Sequence, residues 1–176
     1  MKDGFIKVAA GTPDIKVADC EYNRAEITAL IDKAYAAGVR ILALPELCIT
    51  GYTCQDLFFQ QALLDGALNA LREITEHTAG SDMLISVGCP LRFRGELYNF
   101  AVVLKDGKIL GVVPKKFLPN YNEFYEKRHF TAAPEGQFDI ELFGESVPFG
   151  LGLLFECRTM PELVFAAELC EDVWTM

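Results

Sequence analysis

Histidine is nearly absent from this chain: His77 and His129 are the only two in 176 residues, and neither stands in a motif suited to a catalytic base. A Cys–His mechanism therefore has little support. The six cysteines (Cys20, Cys48, Cys54, Cys89, Cys157 and Cys170) include no pair separated by only two residues, and no histidine pair lies nearby. That argues against a zinc knuckle, and no metal is expected. Basic residues are outnumbered, 16 against 25, for a formal net charge of -9, which disfavours binding to a phosphate backbone. The start lacks a basic stretch followed by an apolar one, and no apolar run is long enough to span a bilayer. Low-complexity tracts and internal repeats are missing too. What remains is ordinary globular composition, 51% hydrophobic and 23% charged. It suggests one reduced, cytoplasmic domain whose cysteines act mostly as small buried hydrophobes.

The pattern of the chain is α/β. Residues 5–10 read as a buried strand stopped by Gly11-Thr12-Pro13. Ile27, Leu30, Ile31 and Ala34 then recur at helical spacing, with Asn23 as the expected N-cap, Glu26 three residues on, and Gly38 closing the end. An apolar run at 39–44 follows, so strand, helix and strand form a βαβ unit with a parallel pair. A second helix is expected at about 60–78 and another strand at 83–88. The runs 98–104 and 108–113 flank Asp106-Gly107, a strong hairpin signal. Residues 150–155 and 163–169 read as two more strands. The sheet should begin parallel and gain antiparallel pairs.

Ligands of α/β sheets collect beyond the carboxyl ends of strands. Here Glu46 follows the run at 41–44, Lys115 follows 109–113 and Pro114, and Cys170 follows 164–169. Each has a plain structural explanation when taken alone: a solvated rim carboxylate, a surface lysine, an inert thiol. Together they suit amide hydrolysis. A thiolate is a strong nucleophile, an ammonium beside it lowers its pKa, and a carboxylate can carry the proton to the leaving amine. Lys115 and the backbone N–H of Glu171 could both face a developing oxyanion.

Leu44-Pro45-Glu46-Leu47, Pro114-Lys115-Lys116-Phe117-Leu118 and Glu168-Leu169-Cys170-Glu171-Asp172 resemble, in order, the three active-site signatures of the nitrilase superfamily. The resemblance runs from near residue 5 to the last. It implies an α-β-β-α sandwich with mixed sheets, of which this chain is the N-terminal part. It also implies Glu46 as base, Lys115 (chosen over Lys116) as oxyanion stabiliser and Cys170 as nucleophile. Two longer stretches, 50–58 and 118–126, are similar to the glutaminase domain of bacterial glutamine-dependent NAD synthetases.

That likeness implies a glutamine amidohydrolase domain over 1–176. Tyr52, Tyr121, Phe124 and Glu171 would bind glutamine, with Glu171 as the partner of its α-ammonium. Glu126 would orient Lys115, unless it pairs at the surface with Lys127 or Arg128. Ammonia would pass to a synthetase domain of the same polypeptide, which would need ATP and Mg²⁺ to amidate deamido-NAD. The domain itself is expected to hold no cofactor. The family domain continues past this cysteine, so the chain is expected to be incomplete, without the synthetase's Ser-Gly-Gly phosphate loop. Self-association follows from the edge such a cut exposes, and a weakly held homo-oligomer from the family's habit. Another nitrilase-type amide or nitrile substrate, or a non-catalytic fragment, are the competing expectations.

Overall fold

A computed structural model describes residues 4–175. Its frame is a seven-stranded mixed sheet. Strand β1 (Val8–Ala10) pairs in parallel with β2 (Ile41–Ala43), joined by the helix α1 (Cys20–Ala36), and this is the βαβ unit expected from the periodicity. After β2 come a 3₁₀ turn (Gln55–Phe59) and α2 (Gln61–His77). Strand β3 (Leu84–Phe93) lies parallel to β2 and antiparallel to β4 (Glu96–Lys105), which pairs antiparallel with β5 (Lys108–Pro114). A one-turn helix, α3 (Glu126–His129), precedes a hairpin of β6 (Gln137–Leu142) and β7 (Glu145–Gly150). β7 joins β5, so the order is β1-β2-β3-β4-β5-β7-β6. A separate two-stranded ladder, β8 (Phe155–Cys157) and β9 (Met160–Phe165), precedes the last turn.

Both long helices pack on each other and share one apolar cluster with the sheet, in which Ile27, Ile31, Leu71 and Ile74 meet Ile85, Val87, Val102 and Leu104. Residues alternate across a strand, so Ala101 and Val113, paired between β4 and β5, look the other way. They carry a second, smaller cluster with Leu169, bordered by Leu153, Phe155 and Ala167. Gly111 belongs to this face, where an added Cβ would lie 2.9 Å from Leu153 and 3.1 Å from Phe155.

Several expectations need correction. Asn23 does not cap α1. It is fully buried inside the helix, and Asp19 caps instead, accepting from the Tyr22 N–H at 3.1 Å. The Asn23 amide is spent across the fold: it accepts from Lys16 N and donates to the carbonyls of Lys16 and Ile49. Gly38 does close α1, at φ 79°, with its N–H on Tyr35 O and the next, from Val39, on Ala34 O. The first strand is short and open, with Phe5 80% and Val8 62% exposed, because β1 ends the sheet and has only β2 beside it among the described residues. The region 150–155 is mainly a turn between β7 and β8. β9 stops at Phe165, and residues 166–169 lie outside any ladder, so Cys170 follows an irregular segment rather than a strand end.

Candidate active site

The chemistry gathers where β2 and β5 end, beside Asn99 in β4. Just past β2, Leu47 adopts φ 52° and Gly51 φ 83°, turning the chain back directly after Glu46. This turn lies directly on β3 at Gly88, where a Cβ would come within 2.2 Å of Leu47 N and 2.4 Å of Pro45 O. Only glycine allows that approach.

Lys115 is the first residue beyond β5. Its N–H donates to Asn99 O and its carbonyl accepts from Ala133 N, which fixes the backbone on both sides. The side chain is 1% exposed. Its Nζ donates to Glu46 Oε1 at 2.6 Å and to Glu126 Oε1 at 2.7 Å. Burial alone would lower the lysine pKa; hydrogen bonds and charge from Glu126 and Glu46 outweigh it, and the ammonium is held charged above its ordinary value. Asn99 Nδ2, in the middle of apolar β4, donates a second hydrogen bond to Glu46 Oε1.

Glu126 begins α3 and is 3% exposed. It pairs with neither Lys127 nor Arg128. Arg128 instead makes a two-pronged pair with Asp56, with bonds of 2.7 and 2.8 Å. Besides Lys115, Glu126 Oε1 accepts from the Tyr52 hydroxyl at 2.7 Å, while its Oε2 has no partner among the described residues. Burial pushes the Glu126 carboxyl up in pKa, and Lys115 and Tyr52 pull it back only in part.

Cys170 opens a short 3₁₀ turn (Cys170–Val173) in the left-handed region at φ 46°, a conformation non-glycine residues avoid except where surroundings impose it. It is exposed, whereas Leu169 before it is buried against Ala101 and Val113. Burial of the sulfur pushes the thiol pKa up, Lys115 opposes this, and Glu46, Glu126 and Glu171 add to it. The thiol thus feels the field of the whole cluster.

Beside it, Tyr121 donates to Glu171 Oε2 at 3.0 Å. The Tyr121 ring meets Phe124 edge-on at 5.6 Å, and Phe124 meets Tyr52 at 6.3 Å. An aromatic row therefore links Glu171 at one end to Glu126 at the other. All eight residues singled out from the sequence come together. Asn99 and Asp172 were not foreseen. The signal for Asn99 was an amide inside an otherwise apolar strand; Asp172 gave none beyond its place two residues after Cys170. No group of three or more metal-ligating side chains is present among the described residues.

Residues 7–176 match the carbon-nitrogen hydrolase family along their whole length. The chain belongs to that family. Among curated proteins, this hydrolase chain is 37% identical over 171 residues to the glutamine-dependent NAD(+) synthetase of Mycobacterium tuberculosis (strain H37Rv), covering 97% of itself and 25% of the relative. It thus spans about a quarter of the length of the curated relatives it matches. Of solved structures, the glutamine-dependent NAD(+) synthetase from Cytophaga hutchinsonii superposes with TM-score 0.86 at 33% identity, over 95% of this chain and 28% of that one. The NitN amidase from Neterenkonia sp. AN1 shares the fold at TM-score 0.62 and 19% identity, over 82% of this chain and 56% of that one. The nitrilase-like mixed α/β architecture expected from the sequence is therefore the architecture found.

Proposed function

We propose that this carbon-nitrogen hydrolase domain, over 1–176, hydrolyses the side-chain amide of glutamine through a thioester on Cys170. The observation that carries the reading is the buried ammonium of Lys115 clamped between Glu46 and Glu126, at the sheet edge where the Cys170 turn arrives.

Each residue has a role that its surroundings support. Cys170 is held protonated, so its attack needs a base; Glu46 is the least buried of the two carboxylates on Lys115, 18% exposed against 3%, and is the one open to the thiol proton. Sγ bonds to the carboxamide carbon as the proton moves to Glu46. The oxyanion then forms between Lys115 Nζ and the Glu171 N–H, in surroundings where a fixed cation acts strongly. The proton passes to the leaving nitrogen, the C–N bond breaks, and ammonia departs. A water activated by Glu46 attacks the thioester, giving glutamate and restoring the thiol. Glu126 holds Lys115 in place and keeps it charged. The carboxylate of Glu171 suits the substrate's α-ammonium, and Tyr121, Phe124 and Tyr52 suit its methylene chain.

The names of the relatives extend the proposal. Ammonia released here would serve a synthetase domain of the same polypeptide, which would use ATP and Mg²⁺ to convert deamido-NAD to NAD, in the cytoplasm and within a homo-oligomer. Labelling with a diazo-ketone analogue of glutamine tests the first step. Mass spectrometry should place the adduct on Cys170, and excess glutamine should block it. Labelling elsewhere in folded protein would sink the reading. In the full-length polypeptide with its synthetase domain, Cys170→Ala should abolish glutamine-driven amidation while leaving amidation with free ammonia intact.

A further inference from the structure

We infer that Asp172 is a positioning residue, whose carboxylate pins the Cys170 turn to the end of β5 and so holds the nucleophile in register with Lys115. The inference takes its substrate from the glutaminase reading but its geometry from the fold alone.

The β4–β5 ladder runs out where Pro114 faces Phe100, and Lys115 spends its N–H on Asn99. The next two backbone donors, Lys116 N–H and Phe117 N–H, have no strand to receive them. Asp172 takes both: Oδ1 accepts from Phe117 at 2.7 Å and from Lys116 at 3.1 Å, and Oδ2 also approaches the Lys116 N–H at 3.2 Å. A carboxylate that accepts two adjacent backbone donors is fixed in direction as well as distance. The turn is closed on its own side by the Asp172 N–H on Leu169 O.

Cys170 is therefore bracketed. One residue before it, Leu169 is sunk into the face of β4 and β5. Two residues after it, Asp172 grips the strand end that carries Lys115. Between these anchors the backbone has no freedom to leave φ 46°, and the unfavourable conformation persists because both flanks over-determine it. Without Asp172 the turn keeps only buried Leu169 and the exposed Tyr121–Glu171 hydrogen bond, and Cys170 can relax toward an ordinary backbone conformation, swinging Sγ away from the line of attack. Displacement of that order is enough to slow a positioned reaction by about 100-fold.

The test compares Asp172→Ala and Asp172→Asn with the unmutated protein in glutamine hydrolysis, with Tm measured in parallel. Asp172→Ala should lower kcat by about 100-fold, with KM rising by a smaller factor because Glu171 lies in the same turn as Cys170. Asp172→Asn keeps one acceptor oxygen and should recover at least about tenfold of that loss. Unchanged kcat, a rise in KM at constant kcat, or an asparagine variant no better than alanine would each overturn the inference. A second readout needs no glutamine: the pH midpoint of Cys170 alkylation by iodoacetamide. Release of the turn should move the midpoint down toward that of a free thiol, because the sulfur leaves the field of Glu46, Glu126 and Glu171. An unmoved midpoint overturns the clamp. If the full-length polypeptide releases no glutamate at all, the glutaminase reading has failed, and the alkylation midpoint alone judges Asp172.

Discussion

Lys115 is where the side chains of the site converge, and its surroundings explain why a buried cation is tolerated. Taking an ammonium out of water is expensive, and removing one partner of such a buried pair strands a charge at a cost of about 3–5 kcal/mol. Two carboxylates meet that demand here, while two backbone bonds fix the residue that carries the ammonium. Tyr52 belongs to the same network, and the Tyr52→Phe change isolates its contribution. The ring stays on Phe124, but Glu126 Oε1 loses a donor, so chemical denaturation should report a loss of about 1–2 kcal/mol. An unchanged midpoint would mean that water replaces the hydroxyl. A pH prediction follows from Cys170. Burial and three nearby carboxylates raise its pKa and Lys115 offsets only part of this, so the thiol is neutral at pH 7 and ionises later than a free thiol. Iodoacetamide labelling of Cys170 in the unmutated protein should therefore rise with pH to a midpoint above that of a short cysteine peptide. A midpoint below it would show that Lys115 dominates, and Glu46 would not be needed as the base. The sequence made Glu46, Lys115 and Cys170 legible because each sits in a dense local motif. Asn99 and Asp172 are hidden because they serve groups distant in sequence: a carboxylate past the end of β2, two strands away, and backbone N–H donors 55 and 56 residues away.

Elements place these residues through backbone proximity as much as through side chains. The turn carrying Glu46 rests on β3 at a distance that admits no Cβ, so Gly88→Ala must push residues 45–47 outward. The atoms in its way are backbone, which cannot rotate aside. Glutamine hydrolysis should fall by about 100-fold with the 3₁₀ turn and helices retained by circular dichroism, since a shift of about 1 Å suffices. Full activity in the alanine variant would mean the loop is free to move. Elements are legible in the sequence where the local signal is strong. The helical stripe, the Asp106-Gly107 turn and the α2 boundaries were plain, and the turn has φ 51° and 73° as its residue types suggest. Two other hairpins, at Arg94-Gly95 and Phe143-Gly144, use the same left-handed pair but put residues without such a preference first. That is why the β6–β7 hairpin went unread. Asn23 misled for a related reason: a good capping residue was needed instead to tie the loop before α1 to Ile49, three residues past Glu46.

At the scale of the whole molecule, one face is closed and the other is not. The side holding α1 and α2 carries the large cluster, whereas among the described residues the small cluster on the opposite side is covered by Leu153, Phe155, Ala167 and Leu169 over a short stretch. Phe5 and Val8 at the sheet edge stand 80% and 62% exposed, and Leu154, Val164 and Trp174 stand 71%, 50% and 78% exposed. Large apolar side chains scattered singly are ordinary, but Val8 on the edge strand with Phe5 just before it offers an unpaired ladder and a sticky face together. These 176 residues on their own should therefore associate, and light scattering should give a mass that rises with concentration. Two variants separate the causes. Val8→Lys places a charge on the edge and should suppress association if strands pair there; Trp174→Ser should suppress it if the last turn makes the contact. A clean monomer at every concentration would show that neither surface is sticky enough. Association at the last turn also has a consequence for chemistry, because Trp174 N–H closes on Glu171 O within the same turn that holds Cys170. A partner seated on Trp174 would then stiffen the nucleophile's turn from outside, as Asp172 does from within. If so, Cys170 labelling should slow with rising concentration in the unmutated chain and lose that dependence in Trp174→Ser.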